Sequence, residues 1–180
     1  MSRHTALWGL MLCALAAPLA LAPAHAQGPA AKPNPLDVIP EKMPFDLPMG
    51  PPITLERAQE VINAVVAECK KHNWKMNAAV VDPEGELVAF ARMDDSQIAS
   101  IKIAQHKART AALYRRETKL FEAGVQAGVN YLMTLDDVIA SRGGIPLVEH
   151  GHMIGAVGAS GGTGSQDEAC AKAGAAVINK

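Results

Sequence analysis

Two short turns constrain this chain more than any other feature. Pro83-Glu84-Gly85 separates the strand-like runs 76–82 and 86–92, and His150-Gly151 separates 145–149 from 152–159. Turn residues between β-forming runs predict hairpins, and hairpin partners are antiparallel by construction. Between and around the hairpins the apolar period changes from two to nearly four. Thr54 caps a run in which Leu55, Ala58, Ile62, Val65 and Cys69 recur at helical spacing, ending near His72 and Asn73. Ile98, Ile101, Ala104, Ala108 and Ala111 mark a second helix over 96–115, and an alanine-rich helix over 166–178, capped by Ser165 or a neighbour, closes the chain. Residues 118–137 read as short helical pieces and loops punctuated by Gly124 and Gly128, and 160–165 as a flexible glycine-rich turn. The order helix, hairpin, helix, hairpin, helix predicts an α+β domain, with helices packed on an antiparallel sheet.

The first 52 residues read differently. A polar start with one cation, Arg3, precedes an uncharged apolar run from Ala6 to Ala22, and Ala24-His25-Ala26 then matches the small-residue rule for leader cleavage. Pro18 and Pro23 interrupt the run, which argues against a retained membrane anchor. The expected organisation is a signal peptide at 1–26, a proline-rich tether at 27–52 and one folded domain at 53–180. The expected location is periplasmic or secreted, with no membrane association after cleavage.

Charge narrows the partners. Only one of the 17 basic residues lies in the leader, the 18 acidic ones nearly balance the rest, and no basic run occurs, which excludes nucleic acid and anionic membrane surfaces as expected partners. Cys69 and Cys170 remain after cleavage, in an oxidising compartment. They form either one disulfide or two separate buried thiols, and their spacing excludes a zinc knuckle or a CxxC motif.

Few segments carry recognisable chemistry. The glycines from Gly155 to Gly162 lack the Lys-Ser/Thr ending of a phosphate loop, and Ser160 lacks the Gly-x-Ser-x-Gly spacing of a nucleophile elbow. His72 ends a helix, where its charge suits the dipole. His150 and His152 flank a turn glycine and share a strand face, a pair able to hold a metal or simply an exposed turn. His106 sits mid-helix near Lys102, Lys107, Arg109 and Thr110. That face is either an ordinary solvated surface or a cleft with an imidazole for iron and cations for carboxylates.

Six motifs in order then carry a resemblance. They are Ile53-Thr54-Leu55, Val80-Val81-Asp82-x-x-Gly85-x-Leu87, Arg92-Met93-Asp94, Lys107-Ala108-x-Thr110-Ala111, Gly143-Gly144-Ile145-Pro146 and Gly155-Ala-Val-Gly158-Ala-Ser160-Gly161. From Ile53 to the C-terminus the chain resembles the GlcG/HbpS family of haem-binding or haem-degrading domains. The resemblance implies a profilin-like domain with a five-stranded antiparallel sheet flanked by helices, assembled as homo-oligomers. Some members bind haem outside the cell and are linked to redox sensing, and a related domain occurs in corrinoid adenosyltransferases. The chain departs from the commoner pattern at Ala159, where valine is frequent, and at His150 and His152.

The expected function is binding of haem or a related tetrapyrrole, in haem handling or redox sensing. The alternatives are an enzyme acting on a small carboxylate or aldehyde-like metabolite, or a purely structural oligomer. Under the leading reading His106 ligates the iron, with His150 and His152 as the other candidates. Lys102, Lys107, Arg109 and Thr110 complete the ligand-binding set, and no catalytic residue is assigned. Aromatic content of 4% favours a shallow site between subunits, lined by alanine and methionine, over a deep one.

Overall fold

The computed structural model describes residues 38–43 and 45–179. The leader and residues 27–37 of the tether lie outside the described residues. The element order is α1 (Leu55–Lys71), β1 (Asn77–Val81), β2 (Leu87–Arg92), α2 (Ser100–Leu113), α3 (Thr118–Gln126), a 3-10 turn (Asn130–Thr134), β3 (Gly144–Glu149), β4 (His152–Ser160) and α4 (Gly164–Ala175). Both hairpins form where their turns predict them. His150 (φ 50°) and Gly151 (φ 79°) each take a positive φ, as a two-residue turn twisted to match its strands requires.

The sheet order is β2-β1-β4-β3, antiparallel throughout. Four strands, not the expected five, make this sheet. Beyond the end of β1, Met49 makes a single bridge to Met153, with Gly50 N–H donating to the Met153 carbonyl and Met153 N–H to that of Pro48. Pro48, Pro51 and Pro52 have no N–H to give, so the segment cannot extend into a fifth strand. The last residues of the expected tether thus lie against β4.

Helices cover both sheet faces. On one, α1 packs with large side chains and α4 with small ones: Val61, Ile62 and Val65 of α1 share a core with Val80, Leu147 and Val157 of the sheet, and α4 adds Cys170, Ala171 and Ala175. Cys69 and Cys170 are bridged here, their Cα atoms 5.7 Å apart and 101 residues apart in sequence, so the disulfide alternative holds. On the other face α2 lays Ala104, Ala108, Ala111 and Ala112 on Ala79, Val81 and Ala156. A Cβ at Gly158 would collide with the Ala104 carbonyl and the Ala108 nitrogen, and one at Gly144 with the Lys107 carbonyl. The backbone of α2 therefore rests directly on the backbone of the sheet.

Some expected details shift. Leu55 (65% exposed) and Ile98 (72%) face outward, so neither belongs to the core. The second helix begins at Ser100 rather than 96, because buried Ser96 is held to the Asn77 side chain and Ser100 N–H to the Gln97 carbonyl. Thr163, not Ser165, caps α4 in a reciprocal capping box with Gln166. At the sheet margin Asn179 accepts from Val148 N–H and donates to the Pro146 carbonyl, covering the outer edge of β3. No such cover lies along β2 among the described residues.

Candidate functional site

The period of α2 sorts the residues expected to act together. Lys102, His106, Arg109 and Leu113 follow one another at steps of three and four on the outer face, whereas Lys107 and Thr110 share the inner face with Ala104 and Ala111. Lys107 is 1% exposed, and its Nζ lies 2.7 Å from Asp167 Oδ2. The other oxygen of Asp167 accepts from Gly161 and Gly162 N–H at 3.1 and 3.0 Å. Taking both charges from water is offset here by close pairing and by these amide donors. Lys107 ties α2 to the start of α4, so it does not join the outer-face cations. Thr110 is also buried, donating to the Asp137 carbonyl at 2.6 Å and accepting from Ile139 N–H at 3.1 Å.

The outer face opens on a cleft of about 340 Å³ whose walls include Val81, Glu86, Leu87, His106, Arg109 and Asp137. Each part of the fold brings a piece: the first hairpin supplies Glu86 and Leu87, α2 supplies His106 and Arg109, and the stretch before β3 supplies Asp137. Arg109 Nη1 donates to the Gly85 carbonyl and to Glu86 Oε1 at 3.1 and 2.9 Å, and Nε lies 3.3 Å from Asp137 Oδ1. Glu86 first and Asp137 second hold the Arg109 guanidinium above its usual pKa. Its charge is thereby balanced inside the protein.

His106 is half-buried and makes no hydrogen bond among the described residues, which leaves its imidazole nitrogens open toward the cleft. Lys102, one turn earlier, is exposed and without a carboxylate partner among those residues. His150 and His152 stand exposed at the second hairpin turn, with His152 Nδ1 3.1 Å from the His150 carbonyl. No group of three metal-capable side chains occurs among the described residues. The arrangement therefore offers one unpartnered imidazole beside an apolar wall, with a free ammonium nearby. Such a set suits a planar ligand with an electrophilic centre and peripheral anions.

Sequence reasoning missed Glu86 and Asp137. Glu86 was read only as part of a strand, and Asp137 ends a stretch without regular period. Thr110 gave the one usable signal, since a buried hydroxyl must find partners and its partners are the residues that position Asp137.

Comparison with known proteins places the domain. A family model described as haem degrading protein HbpS-like matches residues 53–176. Protein GlcG of Escherichia coli strain K12 is 46% identical over 107 residues, 57% of this chain and 80% of GlcG. A 15.0 kDa protein of the dhaT-dhaS intergenic region of Citrobacter freundii is 36% identical over 124 residues, 67% of this chain and 87% of that one. Among solved structures, HbpS superposes with a TM-score of 0.68 at 29% identity, covering 74% of this chain and 94% of HbpS. The PduOC complex with haem gives 0.65 at 26% identity, covering 71% and 96%.

Proposed function

This chain belongs to the haem degrading protein HbpS-like family, and from that premise we propose that it binds haem or a related tetrapyrrole in the cleft headed by His106. The observation that carries the reading is an imidazole without an internal partner, set in a concave site on the outer face of α2. Leu87, half exposed at the cleft, offers apolar contact for the macrocycle. Lys102 provides an uncompensated cation for a propionate, whereas Arg109 must first give up Glu86 or Asp137. A relative of similar fold, PduOC, was solved with haem, which supports the ligand class. When bound, haem supplies a redox-active iron. The protein's part would be to hold the metal at His106 and to orient the ring against Leu87.

The cleft is open and small for a whole macrocycle, so it would hold only part of one, and a second copy of the chain would cover the remainder in a homo-oligomer. Export from the cytoplasm completes the reading, supported by the leader motif and by the bridged cysteines, since disulfides persist in oxidising compartments.

Hemin titration followed at the Soret band tests the site. Wild-type protein should saturate at a fixed stoichiometry. His106→Ala should change the Fe(III) spectrum and weaken binding, and Lys102→Gln should weaken binding while keeping the spectral type. If His106→Ala binds unchanged and a His150/His152 double replacement does not, the ligand belongs at the hairpin turn. Absence of any Soret shift would overturn haem binding in favour of the metabolite enzyme.

A further inference from the structure

A second cleft, of about 530 Å³, lies where the end of α2 meets the outer side of β3. Its floor is apolar, made by Leu120, Ile145, Pro146 and Val148, and Phe45 and Leu47 close one side. Arg115 and Arg116 stand in its wall. Arg57, Arg109 and Arg142 each have carboxylate partners at 3.3 Å or less, and Arg92, which has none among the described residues, is exposed at the end of β2. Arg115 and Arg116 have none among the described residues. Arg115 donates only to the Leu47 carbonyl at 3.0 Å, and Arg116 to the Tyr114 carbonyl at 3.1 Å. The Arg116 guanidinium carbon sits 3.3 Å above the centre of the Phe45 ring, which fixes its plane beside the apolar floor. Burial also pulls the Arg116 pKa down from its usual value, as it must for a cation without a counter-ion.

Two guanidiniums with no carboxylate within ion-pairing distance among the described residues, beside an apolar surface of small-molecule size, form a receptor for an amphipathic anion. We infer that this second cleft binds an organic monocarboxylate, its carboxylate on Arg115 and Arg116 and its apolar body along Leu120, Ile145 and Val148. Two features of the lining narrow the class. It contains no imidazole, thiol or thioether, so nothing in it favours an iron-bearing ligand. Glu117 stands beside the arginines and repels a second negative charge, which favours a carboxylate over a phosphate dianion.

The test uses the full purified protein and sodium octanoate, titrated by calorimetry, with 1-octanol and octyl phosphate as comparisons. Octanoate should bind at one site, and octanol at least about tenfold more weakly, because charge-assisted hydrogen bonds carry the difference. The double variant Arg115→Gln/Arg116→Gln should weaken octanoate by a similar factor while leaving the hemin titration unchanged. Leu120→Glu, at an exposed position that tolerates substitution, should place a competing carboxylate beside the arginines and abolish binding in a protein of normal circular dichroism. Equal binding of octanol, tighter binding of octyl phosphate, unchanged octanoate affinity in the folded variants, or no octanoate binding at all would each overturn the inference. Loss of hemin binding with intact octanoate binding would count against the His106 cleft alone.

Discussion

The two faces of the sheet are built on opposite terms. Toward α1 the contact is made by branched side chains, which can shift slightly when one of them changes, and a disulfide ties α1 to the small-residue face of α4. Toward α2 it is made by alanines, glycines and bare backbone, with nothing able to yield. One face loses stability mainly when atoms are removed and the other when atoms are added. The site follows from the second arrangement. Because α2 is pressed flat on the sheet, its outer stripe stands at a fixed height above the first hairpin, and His106 and Arg109 meet Glu86 and Leu87.

A change of one carbon on each face measures the contrast most directly. Gly158→Ala drives a methyl into the α2 backbone and should cost about 4 kcal/mol or more, or prevent folding. Ile62→Val, which removes one carbon from the buried face of α1, should cost only about 0.5 to 1.5 kcal/mol. Urea denaturation of both variants decides it, and similar losses would break the comparison.

Removing the bridge probes the side-chain face on its own. A Cys69→Ala/Cys170→Ala protein should lose about 3 kcal/mol, chiefly because the unfolded chain regains the freedom of a long loop. The denaturation midpoint of the double variant should match that of wild type with reductant and lie below that of wild type without it. A loss below about 1 kcal/mol would mean that packing alone secures α1 to α4.

The smallest effect lies at the rim of that same face. Glu168 accepts from Lys172, Lys119 and Arg142 at 2.6, 3.1 and 3.4 Å. Burial pushes its carboxyl up, but hydrogen bonds from Lys172 and Lys119 outweigh burial and hold it below the usual glutamate range. A folded pKa below the unfolded one means stability that is complete above the ordinary glutamate value and is lost as pH falls through the depressed one. Glu168→Gln should therefore cost about 1 kcal/mol at neutral pH and flatten the decline in acid. An equally steep decline in the variant would assign the acid sensitivity elsewhere, Glu122 with its Arg142 partner being the next group.

What could be read in advance followed local rules. The hairpins were legible because turn chemistry and β-forming runs coincide, α1 because its apolar period is regular, and α4 because its run is alanine-rich. The strand count was not, since it came from a resemblance and the place of a fifth strand is held by a proline-rich segment that can make only one bridge. On α2 the cationic face was half legible. Lys107 was grouped with its neighbours by charge, although its spacing from Ala104 and Ala111 places it on the buried stripe. Glu86 and Asp137 were out of reach because residues far apart in the chain, one in a hairpin and one after an irregular stretch, meet only once α2 is seated. Arg115 ends the expected helix, and only the fold shows that neither it nor Arg116 has an ion-paired carboxylate among the described residues.

The contact of Asn179 with β3 has a consequence for valence. A sheet with two open edges can add neighbours without limit and grow into a fibre. Here one side is closed by an amide that mimics a passing strand, while β2 carries no such cover among the described residues. Among those residues each copy thus offers one open edge for strand pairing. Pairing two copies through it would use both edges, so growth along the sheet direction would stop at a pair.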